Sequence, residues 1–368
     1  MIAELIEEPG AAWEECEQLL NAAGTPLGLY HRACWARARS GEGARYSLVA
    51  VRSSLADCIA AFAIESRPTR ALPGHRILSL VRLGIGQGGL DDESLALGLG
   101  ELVRYARRDK SVLMVTADSF SIEPDWLLRT GDALRQNGFR LFASQRTYAR
   151  TLLLDLEPSE DELMAGLHKS ARRNIRDAAK FPVVLESAEA ASLAGRLQEL
   201  DDETRSRTGG APREMDWKSM IAMTAKNPHL SRISLLRRTD REGPEAVLAY
   251  AWCCMQGDVA QYSESGSTRV EDLKVSTSYI LLWDLICWAR RNGARYFDLG
   301  GVTRGAEGTA DPLGGISDFK RRFSPFEFEV GQEWAFEPHP ARAATARAIS
   351  RGAGLLRRAA RRIRTRKS

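Results

Sequence analysis

The chain has 368 residues, 44% of them hydrophobic, which exceeds the roughly 250–300 residues at which a single core stops growing and predicts two or more domains. Six cysteines are scattered without a CxxC pair, which argues against a zinc site or a disulfide framework, and no run of about 18 uncharged apolar residues marks a membrane span. The net charge of +4 belongs to the C-terminus: residues 341–368 hold ten of the 52 Lys/Arg and none of the 48 acids, so the rest of the chain is net negative by six.

The acidic start, MIAELIEEPG, lacks the basic-then-apolar order of a signal peptide and points to a cytoplasmic protein. From Tyr46, YSLVAVR and CIAAFAIE read as adjacent strands, and RILSLVRLGIGQGGL as a strand broken by Gly84, Gly86, Gly88 and Gly89. Apolar residues recur at helical spacing over 93–108, SVLMVTA (111–117) is a short buried strand, and a helix over 125–137 ends at Asn137-Gly138. The α/β alternation closes near residue 156.

Ser159 and Glu162 form a capping box that opens a helix running to about Lys180. The alternation then repeats: helices 187–206 and 216–225, strands 232–238, 246–255 and 259–265, helix 276–292 ended by Asn292-Gly293, strand 295–299, helix 315–322 and strand 326–335. Residues 301–312 read as a mobile loop, and Pro338–Pro340 sets off the basic tail.

Three segments in register resemble one family. LHKSARRNIRDAAK (Leu167–Lys180) resembles the Arg-Arg-Asn-Ile-Arg helix of Fem-type peptidyltransferases. STSYILLWDLICWARRNGARYFDLGG (Ser276–Gly301) resembles their Tyr-Leu-Leu-x-Trp helix and Tyr-x-Asp-x-Gly-Gly strand end, and DPLGGISDFKRRF (Asp311–Phe323) their Phe-Lys-x-x-Phe element. The Trp35 region, Arg82–Gly89 and Val115–Phe120 fit the first half more loosely. The resemblance implies an α/β protein of mixed sheets: two tandem GNAT-like domains, at 1–156 and 157–323, with strand 324–336 returning to complete the first and a basic helical tail at 338–368. Only Thr208–Lys218 separates two helices where one branch of the family inserts a coiled-coil arm, so the chain is similar to the arm-less, FemX-like branch.

The activity implied is transfer of an amino acid from aminoacyl-tRNA, the co-substrate, to an amine of a cell-wall precursor or similar acceptor, with no cofactor and no metal. Such an ester is already activated, so the enzyme needs to position an amine and stabilise an oxyanion rather than supply a nucleophile. The resemblance places Lys320 at the developing oxyanion, with Phe319 shaping the pocket or stacking on the terminal adenosine. Lys320 also fits a solvated Lys-Arg-Arg run, and Phe319 a core position. Asp298, beside Gly300-Gly301, is placed to receive the amine proton while the glycines let a ligand approach the backbone, though a strand-end turn acid reads the same way.

Lys169, Arg172, Arg173, Arg176 and Lys180 recur at three- and four-residue spacing, a basic stripe suited to phosphates of tRNA or of a nucleotide-linked precursor, or simply to solvent. Arg207 and Arg213 flank Gly209-Gly210, where relatives place an arginine on the acceptor's diphosphate; which of the two matches is open. Competing readings are a CoA-dependent N-acyltransferase, for which no Arg/Gln-x-x-Gly-x-Gly/Ala motif is found, an aminoacyl-tRNA-dependent enzyme of natural-product biosynthesis, and a non-catalytic RNA- or membrane-binding module. The tail is expected to be an accessory anchor on tRNA or on the inner face of the membrane.

Overall fold

A computed structural model describes residues 1–350 apart from 41–42, 55, 70–71, 143–146, 271, 306–310 and 312. The first run of elements is β1 (Ile2–Ile6), α1 (Ala11–Ala22), α2 (Ala33–Arg39), β2 (Arg45–Arg52), β3 (Ala60–Pro68), β4 (Arg76–Leu83), α3 (Asp92–Arg108), β5 (Val112–Phe120), α4 (Pro124–Gln136) and β6 (Arg140–Leu141). After β7 (Arg150–Asp155), α5 (Glu160–Gly166) and α6 (Lys169–Arg176), the same order returns. It comprises β8 (Val183–Ser187), α7 (Ala194–Thr208), α8 (Trp217–Lys226), β9 (Ser231–Arg238), β10 (Val247–Gln256), β11 (Val259–Ser267), α9 (Thr277–Arg291), β12 (Tyr296–Gly301), α10 (Gly314–Arg321) and β13 (Glu327–Glu329). β14 (Gly331–Phe336) and a helix at 340–350, α11, follow.

Local chemistry accounts for the strongest elements. α3 is opened by the Asp91 carboxylate accepting from the Ser94 amide, carries acids in its first turn and Arg107 and Arg108 in its last, and buries Leu95, Leu99 and Leu102 on one face. The Ser159–Glu162 capping box forms, but the helix it opens stops at Gly166. Leu167 is extended, and the His168 ring accepts from the Ser170 amide to start α6, so the single helix expected to Lys180 is broken into two. The helix expected over 187–206 begins at Ala194, because Val183–Ser187 pairs with β9 as an edge strand. β10 is buried along its whole length, as a central strand covered on both faces must be.

Two seven-stranded sheets result, ordered β1-β2-β3-β4-β5-β14-β6 and β13-β7-β12-β11-β10-β9-β8. Each is antiparallel except for one parallel pair, β4/β5 in the first and β11/β12 in the second. Each borrows one strand from the other half of the chain. β7, which precedes the second unit, lies between β12 and β13, while β14, which follows it, lies between β5 and β6. A domain boundary at residue 156 therefore puts β7 in the wrong sheet, and the strand expected over 326–335 is two strands in different sheets. Val330 hands the chain across: its amide donates to the Ala149 carbonyl and its own carbonyl accepts from the Ser121 amide, both at 2.8 Å.

The halves also meet through α2. Trp35 stacks on Trp252 of β10 (5.7 Å between centroids, 6° between planes), and Ala38 joins the core of the second unit. Gly28 and Gly86 touch backbone to backbone over Gln256, where a Cβ on Gly28 would fall 2.4 Å from the Gln256 amide oxygen. No described helix is long and apolar enough to cross a membrane. Of the tail, α11 buries Ala343 and Ala346, and Arg342 donates to the Lys110 carbonyl at 2.7 Å, so Pro338–Pro340 does not detach it. Residues 351–368 and much of the expected loop at 301–312 lie outside the described residues.

Candidate active site

The parallel pair of the second sheet holds for only three residues, Val259–Gln261 against Tyr296–Asp298, after which β11 and β12 diverge. A cavity of about 550 Å³ opens at that divergence, within the range of small-molecule sites. One wall comes from β3, β4 and β5 of the first sheet (Glu65, Ser79, Arg82, Asp118), the other from Trp252, Gln261–Glu264, Gly300–Gly301 and Lys320 of the second.

Lys320 stands at the C-terminal turn of α10, an end of the helix that favours a cation. It is 8% exposed, and its ammonium donates to the Gly301 carbonyl at 2.8 Å. Burial pushes its pKa down to about 8, with Asp298 partly opposing the shift. The glycine pair beneath it is required by geometry. Gly300 takes φ +77° and a Cβ there would lie 3.2 Å from the Lys320 nitrogen, while a Cβ on Gly301 would meet the Tyr148 Cβ at 2.6 Å.

Asp298 is fully buried and does not line the cavity. It accepts from the Tyr148 hydroxyl at 2.6 Å, from the Thr151 hydroxyl, and from the Gly300 amide at 2.8 Å. The structure thus places Asp298, expected to receive the amine proton, in the floor of the site with three donors on its oxygens. Phe319 is likewise absent from the cavity wall, packing edge-on against Tyr279 and Phe323 at 4.9 and 5.5 Å, so it anchors α10 from behind.

Arg213, not Arg207, enters the cavity. It ion-pairs with Glu264 at 2.6 Å and reaches Asp201 at 3.4 Å, whereas Arg207 is exposed and donates to the Ser267 carbonyl at 3.2 Å. Lys169, Arg173 and Arg176 are carried on α6, outside the cavity, where all three are exposed. Arg172 is turned back, donating to the Ala165 carbonyl at 2.8 Å and to that of Leu167. Lys180 pairs with Asp177. α6 nevertheless adjoins α10, since the His168 amide donates to the Arg322 carbonyl at 3.0 Å.

The sequence assigns no site role to the residues that the first sheet and the linker contribute, although Arg82 and Asp118 fall in segments that fit the family loosely. Arg82 is the one described non-glycine residue with positive φ (+58°), is 6% exposed, and lies between Phe120 (4.4 Å) and Tyr148 (4.5 Å). Burial opposes its charge, but Tyr148, Asp118 and Asp298 outweigh that and hold the guanidinium protonated. Burial, followed by Asp298, pushes the Tyr148 phenol well above its ordinary value. His31, in the same wall, is pushed down to about 4 by burial and is neutral. Tyr148 sits in the stretch after Asn137-Gly138 to which the sequence assigns no element, and nothing in a lone arginine on β4 signals a left-handed backbone.

No cluster of His, Cys, Asp and Glu suited to a metal occurs among the described residues. The glycines at 84–89, the nearest thing to a phosphate loop, are filled by protein: a Cβ on Gly84 would strike the Phe120 carbonyl at 2.2 Å and Trp126 at 2.6 Å.

Residues 166–321 match the family model of the acetyltransferase (GNAT) domain. No curated protein matches the sequence. Among solved structures, the chain is similar to FemX at a TM-score of 0.73 and 14% identity, with 93% of this chain and 100% of that one covered. It is similar to L-PGS from Bacillus licheniformis at 0.55 and 13% (95% and 98% covered). A tandem GNAT protein from the clavulanic acid biosynthesis pathway gives 0.52 and 13% (92% and 99% covered). The fold of this chain is therefore the tandem GNAT fold, shared with FemX.

Proposed function

We propose that the protein transfers an aminoacyl group from aminoacyl-tRNA to an amine of a cell-wall precursor or similar acceptor bound in the cleft between the two units. The observation that carries this reading is Lys320: a buried ammonium, protonated at neutral pH, beside a glycine pair on a cavity wall. The amine nitrogen attacks the ester carbonyl, forming the C–N bond and a tetrahedral oxyanion; the ester C–O bond then breaks, and the proton lost by nitrogen ends on the ribose oxygen. Lys320 stabilises the oxyanion between those events. No nucleophile is needed, in keeping with the Fem-like segments and with a described cavity wall that holds no cysteine. The charges of Lys169, Arg173 and Arg176, on a helix adjoining α10, are suited to tRNA phosphates.

The packed glycines at 84–89, and an Asp91 carboxylate already at the start of α3, weigh against CoA in the first unit, because both the space and the positive helix end are taken. The test offers labelled aminoacyl-tRNA or labelled acetyl-CoA together with an amine acceptor. Ribonuclease-sensitive transfer from the tRNA is expected; ribonuclease-insensitive transfer from acetyl-CoA would assign the protein to the N-acyltransferases.

A further inference from the structure

Among the residues that line the cavity, Arg82 and Gln261 each carry a buried polar atom without a partner. The Nη1 of Arg82 and the side-chain oxygen of Gln261 are both buried without a hydrogen bond, and each residue is only 6% exposed. The amide of Gln261 is oriented by its neighbours. Its nitrogen donates to the Tyr148 hydroxyl at 3.3 Å, that hydroxyl gives its own proton to Asp298, and a reversed amide would find no proton to accept. The cleft therefore presents an unmet donor and an unmet acceptor around a single ring: Arg82 lies over the Tyr148 ring at 4.5 Å, and Gln261 is at its hydroxyl. Buried groups left unsatisfied in this way are uncommon, and a non-glycine residue held at φ +58° is a second departure from the ordinary at the same place.

We propose that Arg82 and Gln261 form a two-point subsite for an acceptor that carries a free carboxylate close to an N–H, as the end of a peptide or an amino acid does. The guanidinium takes the carboxylate through its planar fork, and the Gln261 oxygen takes the N–H. A monoanion fits better than a phosphate dianion, because Asp118 and Asp298 already lie close enough to Arg82 to act on its charge. This rests on the cleft being the acceptor site, but not on tRNA being the donor.

The probes are L-alanyl-L-alanine, its C-terminal amide, and the analogue with phosphonate in place of the carboxylate, titrated calorimetrically into the full chain without tRNA. The acid is expected to bind about ten- to a hundred-fold more tightly than the amide, the range of a charge-assisted hydrogen-bond pair. Arg82→Met should bring that ratio to about one, and Gln261→Met should weaken acid and amide alike while keeping it. Should Arg82→Met fail to fold, Arg82→Lys serves instead, with a reduced but surviving ratio. Equal binding of acid and amide, binding of neither at millimolar concentration, or an unchanged ratio in the folded arginine variants overturns the subsite. Phosphonate binding tighter than the acid overturns the choice of carboxylate. Because no transfer is measured, failure of tRNA dependence leaves this result standing.

Discussion

Lys320 needs its proton to act on an oxyanion, and with a pKa of about 8 it keeps that proton at pH 7 and loses it as pH rises. The rate should therefore fall through about pH 8, and a limb rising there instead would show the neutral amine acting as a base. Lys320→Met should lower turnover about a hundred- to a thousand-fold, the usual loss for one donor to a developing oxyanion, while a folded variant turning over near the normal rate would make the lysine a bystander. Lys320→Arg should recover only part, since a planar fork replaces a compact charge. Gly301→Ala drives a methyl into Tyr148 and should cost about 1–3 kcal/mol of stability, measurable by denaturant unfolding. Lys320 and the glycine pair are legible in the sequence because their motif is contiguous. The surroundings of Asp298 are not, because Tyr148 and Thr151, which donate to its carboxylate, lie about 150 positions away in the chain, and the backbone of Arg82 is hidden because one residue's φ leaves no mark in composition or periodicity.

α6 poses its question at the level of the element. Lys169, Arg173 and Arg176 stand on a helix whose Ala171 packs inward. Replacing the three by glutamine should weaken tRNA binding while flattening its dependence on salt, by about one unit of log–log slope for each phosphate no longer neutralised; an unchanged slope would make the stripe a solvated face. Elements with strong local signals, such as α3 with its caps and α9 with its buried face, stand close to where periodicity puts them. β1 and α1 give little local signal, because IAELI alternates weakly and α1 has no side-chain cap at its start. The break at Gly166 is hidden for a different reason: the box at Ser159 marks where a helix begins and says nothing of how soon it ends.

For the molecule as a whole, charge and connectivity give two separate expectations. Residues 351–368 hold eight of the ten basic groups of the C-terminal stretch, and removing them, while keeping the docked α11, should lower affinity for tRNA or anionic vesicles at low salt and leave saturated turnover within a few-fold. Collapse of turnover would tie those residues to the catalytic unit. The exchange of β7 and β14 acts earlier in the protein's life. While the chain is being synthesised, β5 has no neighbour on its β6 side until residue 336 is made, so the N-terminal half leaves the ribosome with an open sheet edge and a gap where Trp334 belongs. Ribosome-bound chains stalled with only 323 residues emerged should remain protease-sensitive in the first unit and become resistant together with the second once 336 has cleared the exit tunnel. A frameshift or stop codon before residue 336 would thus leave the first sheet without its β14 strand, and the cleft is assembled only in chains translated past that point.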